Sequence, residues 1–227
     1  MVIFAGSKKM DSNLLQNSTS ETTKTIYLIR HGQTDFNRLG IVQGCGVDTD
    51  LNETGLWQAR RFFEAYQHME FGHIFVSRLK RTHQTVAPFS RERNIQPFIV
   101  PELDEINWGI MEGEVPTPES HEEFRRMVAA WRAGNLHTAV EGGETPAALF
   151  ERQKEGLKTL EKQMTDKPAL VCMHGRAMRS FLCLLTKHPL QLMDDFEHNN
   201  VCLYVLEKAA NEEYYRIILH NCSAHLQ

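Results

Sequence analysis

Two apolar runs in this 227-residue chain break off abruptly into clusters of reactive side chains. Ile26-Tyr27-Leu28-Ile29 stops at Arg30-His31-Gly32, and Ala169-Leu170-Val171-Cys172-Met173 stops at His174-Gly175-Arg176. Short runs without polar alternation read as strands covered on both faces. A charge at the end of such a strand is costly to bury without a partner, so an anion is expected beside it. Arg30 offers a planar fork of donors suited to phosphate or carboxylate. His31 brings a ring nitrogen able to act as nucleophile, base or ligand near neutral pH. Gly32 permits a tight turn and the close approach of a ligand.

The chain between these runs alternates strand and helix. His73 to Ser77 reads as a second strand and Ile95 to Val100 as a shorter third, while Val201 to Leu206 and Tyr214 to Leu219 close the sheet around a polar turn at Asn211. Leu56, Ala59, Phe62, Phe63, Tyr66 and Met69 recur at helical spacing behind Asn52, a plausible cap. A helix after Ser77 should end near Pro88. Another begins at Thr145, with Pro146 in its first position, and runs to about Met164. The last carries Met178, Phe181, Leu182 and Leu185. This order predicts an α/β fold: a mainly parallel central sheet with helices on both faces, three layers in all. Residues 106–142, with Gly109, Gly113, Pro116 and Pro118 and a helical stretch over 119–133, read as a small inserted cap. Residues 1–23 lack apolar periodicity and read as a mobile leader, leaving 24–227 as a single domain.

In a parallel sheet ligands bind beyond the carboxyl ends of the strands. Arg30 with His31, then Arg81, Glu105 and His174, follow different strands and can converge on that edge. From the residues alone, Arg78 or Lys80 competes with Arg81, and Glu102, Asp104 or Glu112 competes with Glu105. Two arginines, two imidazoles and an acid suit phosphoryl transfer, in which positioning and charge stabilisation do most of the work. A neutral imidazole can accept the group covalently and a carboxylic acid can protonate the leaving oxygen. No metal-ligand spacing or nucleotide loop is present, and no cofactor is expected. A net charge of −4 argues against a nucleic-acid partner. No apolar run has membrane-spanning length. Five cysteines without a CxxC pair point to a reducing compartment, and so to a cytoplasmic protein. Cys172 and Cys202 lie in apolar runs as small core residues.

Leu28-Ile29-Arg30-His31-Gly32-Gln33-Thr34 with Asn37, then Ser77-Arg78-Leu79-Lys80-Arg81-Thr82-His83-Gln84-Thr85, then Glu105 ahead of Gly109, then His174-Gly175, resemble the histidine phosphatase, or phosphoglycerate mutase-like, superfamily. The resemblance spans about residues 25 to 225 in the expected order. It implies that His31 becomes a phosphohistidine, with Gly32 orienting it and Glu105 as proton donor. Arg30, Arg81 and His174 would hold the phosphoryl oxygens, and Asn37, Gln43, Gly44 and Gly175 would line the same pocket. Gln33 stands where the family usually has Glu, at a position outside the catalytic set. Arg176 stands where many members have a smaller residue, and the resemblance gives it no role. His68, His73, His83, His121, His137, His188 and His198 lack a strand-end setting and read as surface or packing residues, and His225 as an anchor for the tail. Trp108 and Trp131 read chiefly as packing residues, and Glu112 as a second acid or a loop residue. Family mutases carry a long basic, proline-rich insertion after the acid. Residues 106–142 are shorter and acidic, which favours a phosphatase acting on a small phosphomonoester over a cofactor-dependent phosphoglycerate mutase or a non-catalytic phosphate-binding module.

Overall fold

The computed structural model describes residues 23–227, so the expected leader falls almost wholly outside the described residues. Six strands, β1 (Lys24–Arg30), β2 (His73–Val76), β3 (Phe98–Ile99), β4 (Ala169–Met173), β5 (Leu203–Lys208) and β6 (Arg216–Cys222), form one sheet in the order β3-β2-β4-β1-β5-β6. β3, β2, β4 and β1 run parallel, whereas β5 is antiparallel to β1 and β6 to β5. The reactive strands β1 and β4 are neighbours at the centre, with Arg30 opposite Met173.

Successive strand side chains point to opposite faces, and the core divides accordingly. Ile26 and Leu28 of β1, with Ala169, Val171 and Met173 of β4, pack in one cluster with Leu149, Leu160, Phe181 and Leu185. These last four belong to α5 (Pro146–Gln163) and α6 (Gly175–Thr186); earlier helices are α1 (Asp35–Leu39), α2 (Glu53–Tyr66), α3 (Lys80–Arg93) and α4 (Pro118–Arg132). Ile29, Leu170 and Cys172 face the other way, against Phe62 of α2 and Val86 and Phe89 of α3. The result is a three-layer α/β fold. No helix among the described residues is long and apolar enough to cross a membrane.

Several local expectations are corrected. α3 does not end near Pro88 but continues to Arg93 with the proline inside it. Proline removes one backbone bond, yet Phe89 beside it is buried against Phe62, Phe63 and Phe71, and that packing holds the helix together. Only Phe98 and Ile99 of the third predicted strand pair with β2. Leu56, expected on the buried face of α2, is 52 % exposed. Within the loop after Gly32 a short helix, α1, forms because Thr34 and Asn37 cap it reciprocally.

Residues 106–142 hold a single 3-10 turn (Gly109–Met111) and α4. Trp108 stacks on Trp131 at 5.8 Å between ring centroids, and both join the same apolar cluster as β1 and β4. The Trp131 indole N–H donates to the Thr138 carbonyl at 2.8 Å, so this buried ring leaves no polar group unmet.

Candidate active site

His31 is delivered by the last ladder bond of β1: its backbone N–H donates to the Met173 carbonyl at 2.9 Å. The next residue, Gly32, lies against the start of α2, where a Cβ on it would stand 2.7 Å from the Gly55 carbonyl oxygen. Its N–H donates to Thr85 Oγ1 of α3 at 2.9 Å. The turn is thus clamped by both helices beneath the sheet. The His31 ring is 2.7 Å from the Gly32 carbonyl through Nδ1, which must carry the proton in that contact. Nε2 therefore keeps its lone pair. Burial, then the charges of Arg81 and Arg30, push the imidazole pKa well below 6.5, so the ring is neutral at physiological pH. An unprotonated nitrogen beside guanidiniums is the form that attacks an electrophilic phosphorus.

His174 lies behind His31, with ring centroids 5.2 Å apart. Arg81 Nε donates to His174 Nδ1 at 3.1 Å, which fixes the ring proton on Nε2, and Nε2 donates to Ser77 Oγ at 2.8 Å. The Ser77 hydroxyl in turn donates to Thr82 Oγ1 at 3.1 Å, and the Thr82 hydroxyl donates to the Leu79 carbonyl at 2.8 Å. Every proton in this chain has one direction. Burial and Arg81 also hold the His174 pKa well below 6.5. Arg81 also donates from Nη1 to the Val47 carbonyl and from Nη2 to the Gly44 carbonyl, at 2.7 and 3.2 Å. Both Arg81 and His174 are 0 % exposed and form the floor under His31, closed off from the cavity above it. Of the competing cations, Arg78 pairs with Asp104 and is exposed, and Lys80 is exposed.

Glu105 is held by the amino end of α6. Its Oε1 accepts the Ala177 and Ile106 N–H groups at 2.7 and 2.9 Å, and its Oε2 accepts the Arg176 N–H at 3.0 Å. A carboxylate there satisfies amides that the helix itself cannot. Two of its rivals are occupied elsewhere: Asp104 by Arg78, and Glu112 by the N–H groups of Gly46 and Trp108. Glu112 is therefore a clamp between the two loops. Arg152 of α5 ties down the acid-bearing segment from behind, donating to the carbonyls of Glu102, Asp104 and Glu105 while pairing with Glu144 at 2.7 Å.

A cavity of about 380 Å³ opens above His31, lined by Arg30, Asn37, Gln43, Glu105, Trp108, Phe124, Gly175, Arg176, Arg179 and His198 among others. Arg30 Nε is buried there with no hydrogen-bond partner, a donor left for an anion. Asn37 Oδ1 accepts from Asn200, which also holds the His31 carbonyl at 3.0 Å, and Gln43 donates to Thr34 at 2.7 Å. Gly44 contributes through its carbonyl on Arg81 and not as a wall. At Gly175 a Cβ would meet the His198 ring at 2.9 Å and Arg30 Nε at 3.4 Å, so only glycine lets β1 and α6 approach this closely.

His198 corrects the reading of it as a surface or packing residue: its Nδ1 is 3.2 Å from Arg30 Nη1. Burial and the neighbouring arginines push its pKa down to about 2, so it accepts from Arg30 as a neutral ring. A signal for it exists in the sequence, because His198-Asn199-Asn200 precedes an apolar run read as a strand. An antiparallel strand presents its amino end at the edge where parallel strands present their carboxyl ends. His225, by contrast, is buried and donates its Nε2–H to the Val201 carbonyl at 2.9 Å, holding the tail against Phe62 and Tyr66.

A family model described as histidine phosphatase superfamily (branch 1) matches residues 26–222. Phosphoserine phosphatase 1 of Hydrogenobacter thermophilus is 28 % identical over 88 % of this chain and 93 % of its own. The Yersinia pestis protein named probable phosphoglycerate mutase GpmB is 31 % identical over 72 % of this chain and 75 % of its own. Among solved structures, the α-ribazole phosphatase of Shigella flexneri superposes with a TM-score of 0.76 at 23 % identity, covering 87 % of this chain and 96 % of that one. That likeness is one of fold.

Proposed function

This chain belongs to the histidine phosphatase superfamily, and from that premise we propose that it hydrolyses small phosphomonoesters through a phosphohistidine on His31. The observation that carries the reading is the state of that ring: neutral, with its proton held on the Gly32 carbonyl and the other nitrogen free beside a cation-lined cavity. Arg30, with its unpartnered Nε, takes the phosphoryl oxygens first. Arg81 supports the group from the floor through its charge, and His174 holds that guanidinium in place. Glu105, once protonated on the Oε2 lone pair that the Arg176 amide leaves free, gives that proton to the leaving oxygen and takes one back from the water that cleaves the phosphohistidine. In this reading residues 24–227 act as one domain, with 106–142 as the cap that shapes the leaving-group side. Its five free thiols support a reducing, cytoplasmic setting.

Transfer back to a sugar-acid phosphate is the second reading, favoured by the likeness to GpmB. Incubation with p-nitrophenyl phosphate, and separately with 3-phosphoglycerate plus its bisphosphate, tells the two apart. Release of inorganic phosphate supports the phosphatase, isomer exchange without release supports the mutase, and neither rejects both.

A further inference from the structure

The first turns of α6 carry two arginines, Arg176 and Arg179, spaced so that they share one face. Cations at the amino end of a helix oppose its dipole, and burying a guanidinium adds a further cost. The arrangement is nonetheless closely built. The Arg176 guanidinium lies over Trp108 and Trp131, 5.9 and 5.3 Å from their ring centres, so its charge is held by two aromatic faces. Its Nη1 donates to Asp194 Oδ1 at 2.6 Å, and Arg179 Nη1 donates to that same oxygen.

Two guanidiniums thus share a single hydrogen-bonded carboxylate on this wall, with the Glu105 charge beside Arg176. Arg179 Nε is buried without a partner, as Arg30 Nε is. Both arginines line the same cavity as His31 and Glu105, and the Arg176 backbone N–H holds Glu105 directly. A single phosphoryl group on Arg30 leaves this second wall unanswered.

We propose that Arg176 and Arg179 form a second anion-binding subsite, so that the substrate is a phosphomonoester whose leaving group itself carries a carboxylate or a second phosphate. The inference rests on the phosphatase reading and refines its substrate class. A planar fork suits either anion. Holding the far end of the leaving group here sets its ester oxygen beside Glu105, which the Arg176 backbone N–H holds.

Matched esters test the idea on the wild-type protein: 3-phosphoglycerate against glycerol 3-phosphate, and propanediol bisphosphate against its monophosphate. A charge-assisted contact should give the doubly anionic member a kcat/KM advantage of about tenfold to a hundredfold. The pair showing the larger advantage identifies the anion. In Arg176→Gln and Arg179→Gln that advantage should collapse towards parity. Arg179→Lys, which keeps the charge, should retain part of it. Equal kcat/KM within both pairs in the wild type, or an advantage that survives both glutamine variants, overturns the subsite. Absence of phosphate release from every ester instead rejects the phosphatase reading. The subsite is then read by calorimetric binding of the same esters to His31→Ala protein, where equal affinities overturn it and a tenfold preference lost in His31→Ala/Arg179→Gln supports it.

Discussion

Glu105 Oε1 stands 2.7 Å from the backbone nitrogen of Ala177, so the acid is fastened to the helix that begins immediately after His174. His174 is in turn held by Arg81, and His31 leaves β1 beside β4. The groups proposed to attack, support and protonate are therefore referenced to one strand pair and one helix start. Small errors of position at such a site are expensive in rate, and this arrangement suppresses them.

Replacing the proposed nucleophile is the most direct consequence. His31→Ala should abolish turnover and remove an acid-labile phosphoenzyme seen in the wild type on mixing with labelled substrate. The far-UV circular dichroism should be unchanged. Hydrolysis at the wild-type rate would rule out phosphohistidine formation at this position.

Ser77 is fully buried and accepts from both His174 Nε2 and the Leu79 N–H. Ser77→Ala leaves two donors without that acceptor, which should lower unfolding free energy by about 1–3 kcal/mol. The freed His174 ring should lower kcat by roughly tenfold or more. Denaturant titration and steady-state kinetics measure the two effects separately, and a variant normal in both would show that the hydroxyl chain is idle.

Acid should destabilise the fold in a defined window. His31 has a pKa lowered well below 6.5 in the folded protein, whereas an unfolded imidazole titrates near 6.5. The unfolded chain therefore binds the extra proton as pH drops below 6.5, and stability falls in that direction. Above 6.5 the ring is neutral in both states and contributes no slope. Its share is about 1.4 kcal/mol per pH unit inside the window. Urea titrations of wild type and His31→Asn from about pH 5 to 7.5 should show the variant losing that share, and parallel profiles would contradict it.

Much of this site could be read from the chain because central parallel strands are apolar on both faces, so the point where they stop is visible as the point where Arg30-His31-Gly32 or His174-Gly175 begins. The choice of Glu105 over Asp104 was not legible locally. It depends on α6, some seventy residues further on, and on Arg78 reaching Asp104. The persistence of α3 past Pro88 is likewise tertiary, an outcome of aromatic packing around Phe89. His198 escaped because it sits before an antiparallel strand, and strand direction is set by pairing and not by composition. The short α1 had a local cue in Thr34 and Asn37, three apart.

Exchange behaviour should divide residues 106–142, the proposed cap. Residues 113–123 are largely exposed, whereas Trp131 is buried against the main core. The amides of Glu114 and Val115 should exchange fast and that of Trp131 slowly, together with β4. Uniform protection across 106–142 would show that the insertion does not open as a tip on a fixed base.

Trp131→Ala should cost about 3–5 kcal/mol, as large-to-small changes of buried aromatics do. It also removes one face of the Arg176 stack. Chemical denaturation reads the first effect. A loss below about 1 kcal/mol would mean that the ring is not a structural centre of the insertion.

The clamp made by Arg152 reaches further than Glu105. One guanidinium grips the carbonyls where the insertion departs and the carboxylate of Glu144 where it returns, and the Glu144 N–H closes on the Asn107 carbonyl at 2.7 Å. The stretch between these two points is a loop whose ends are already soldered to the scaffold. Its exposed tip over 113–123, beyond the Glu112 clamp and the Trp108–Trp131 base, can therefore be exchanged, by natural drift or by grafting, without shifting the acid that stands just outside the joint.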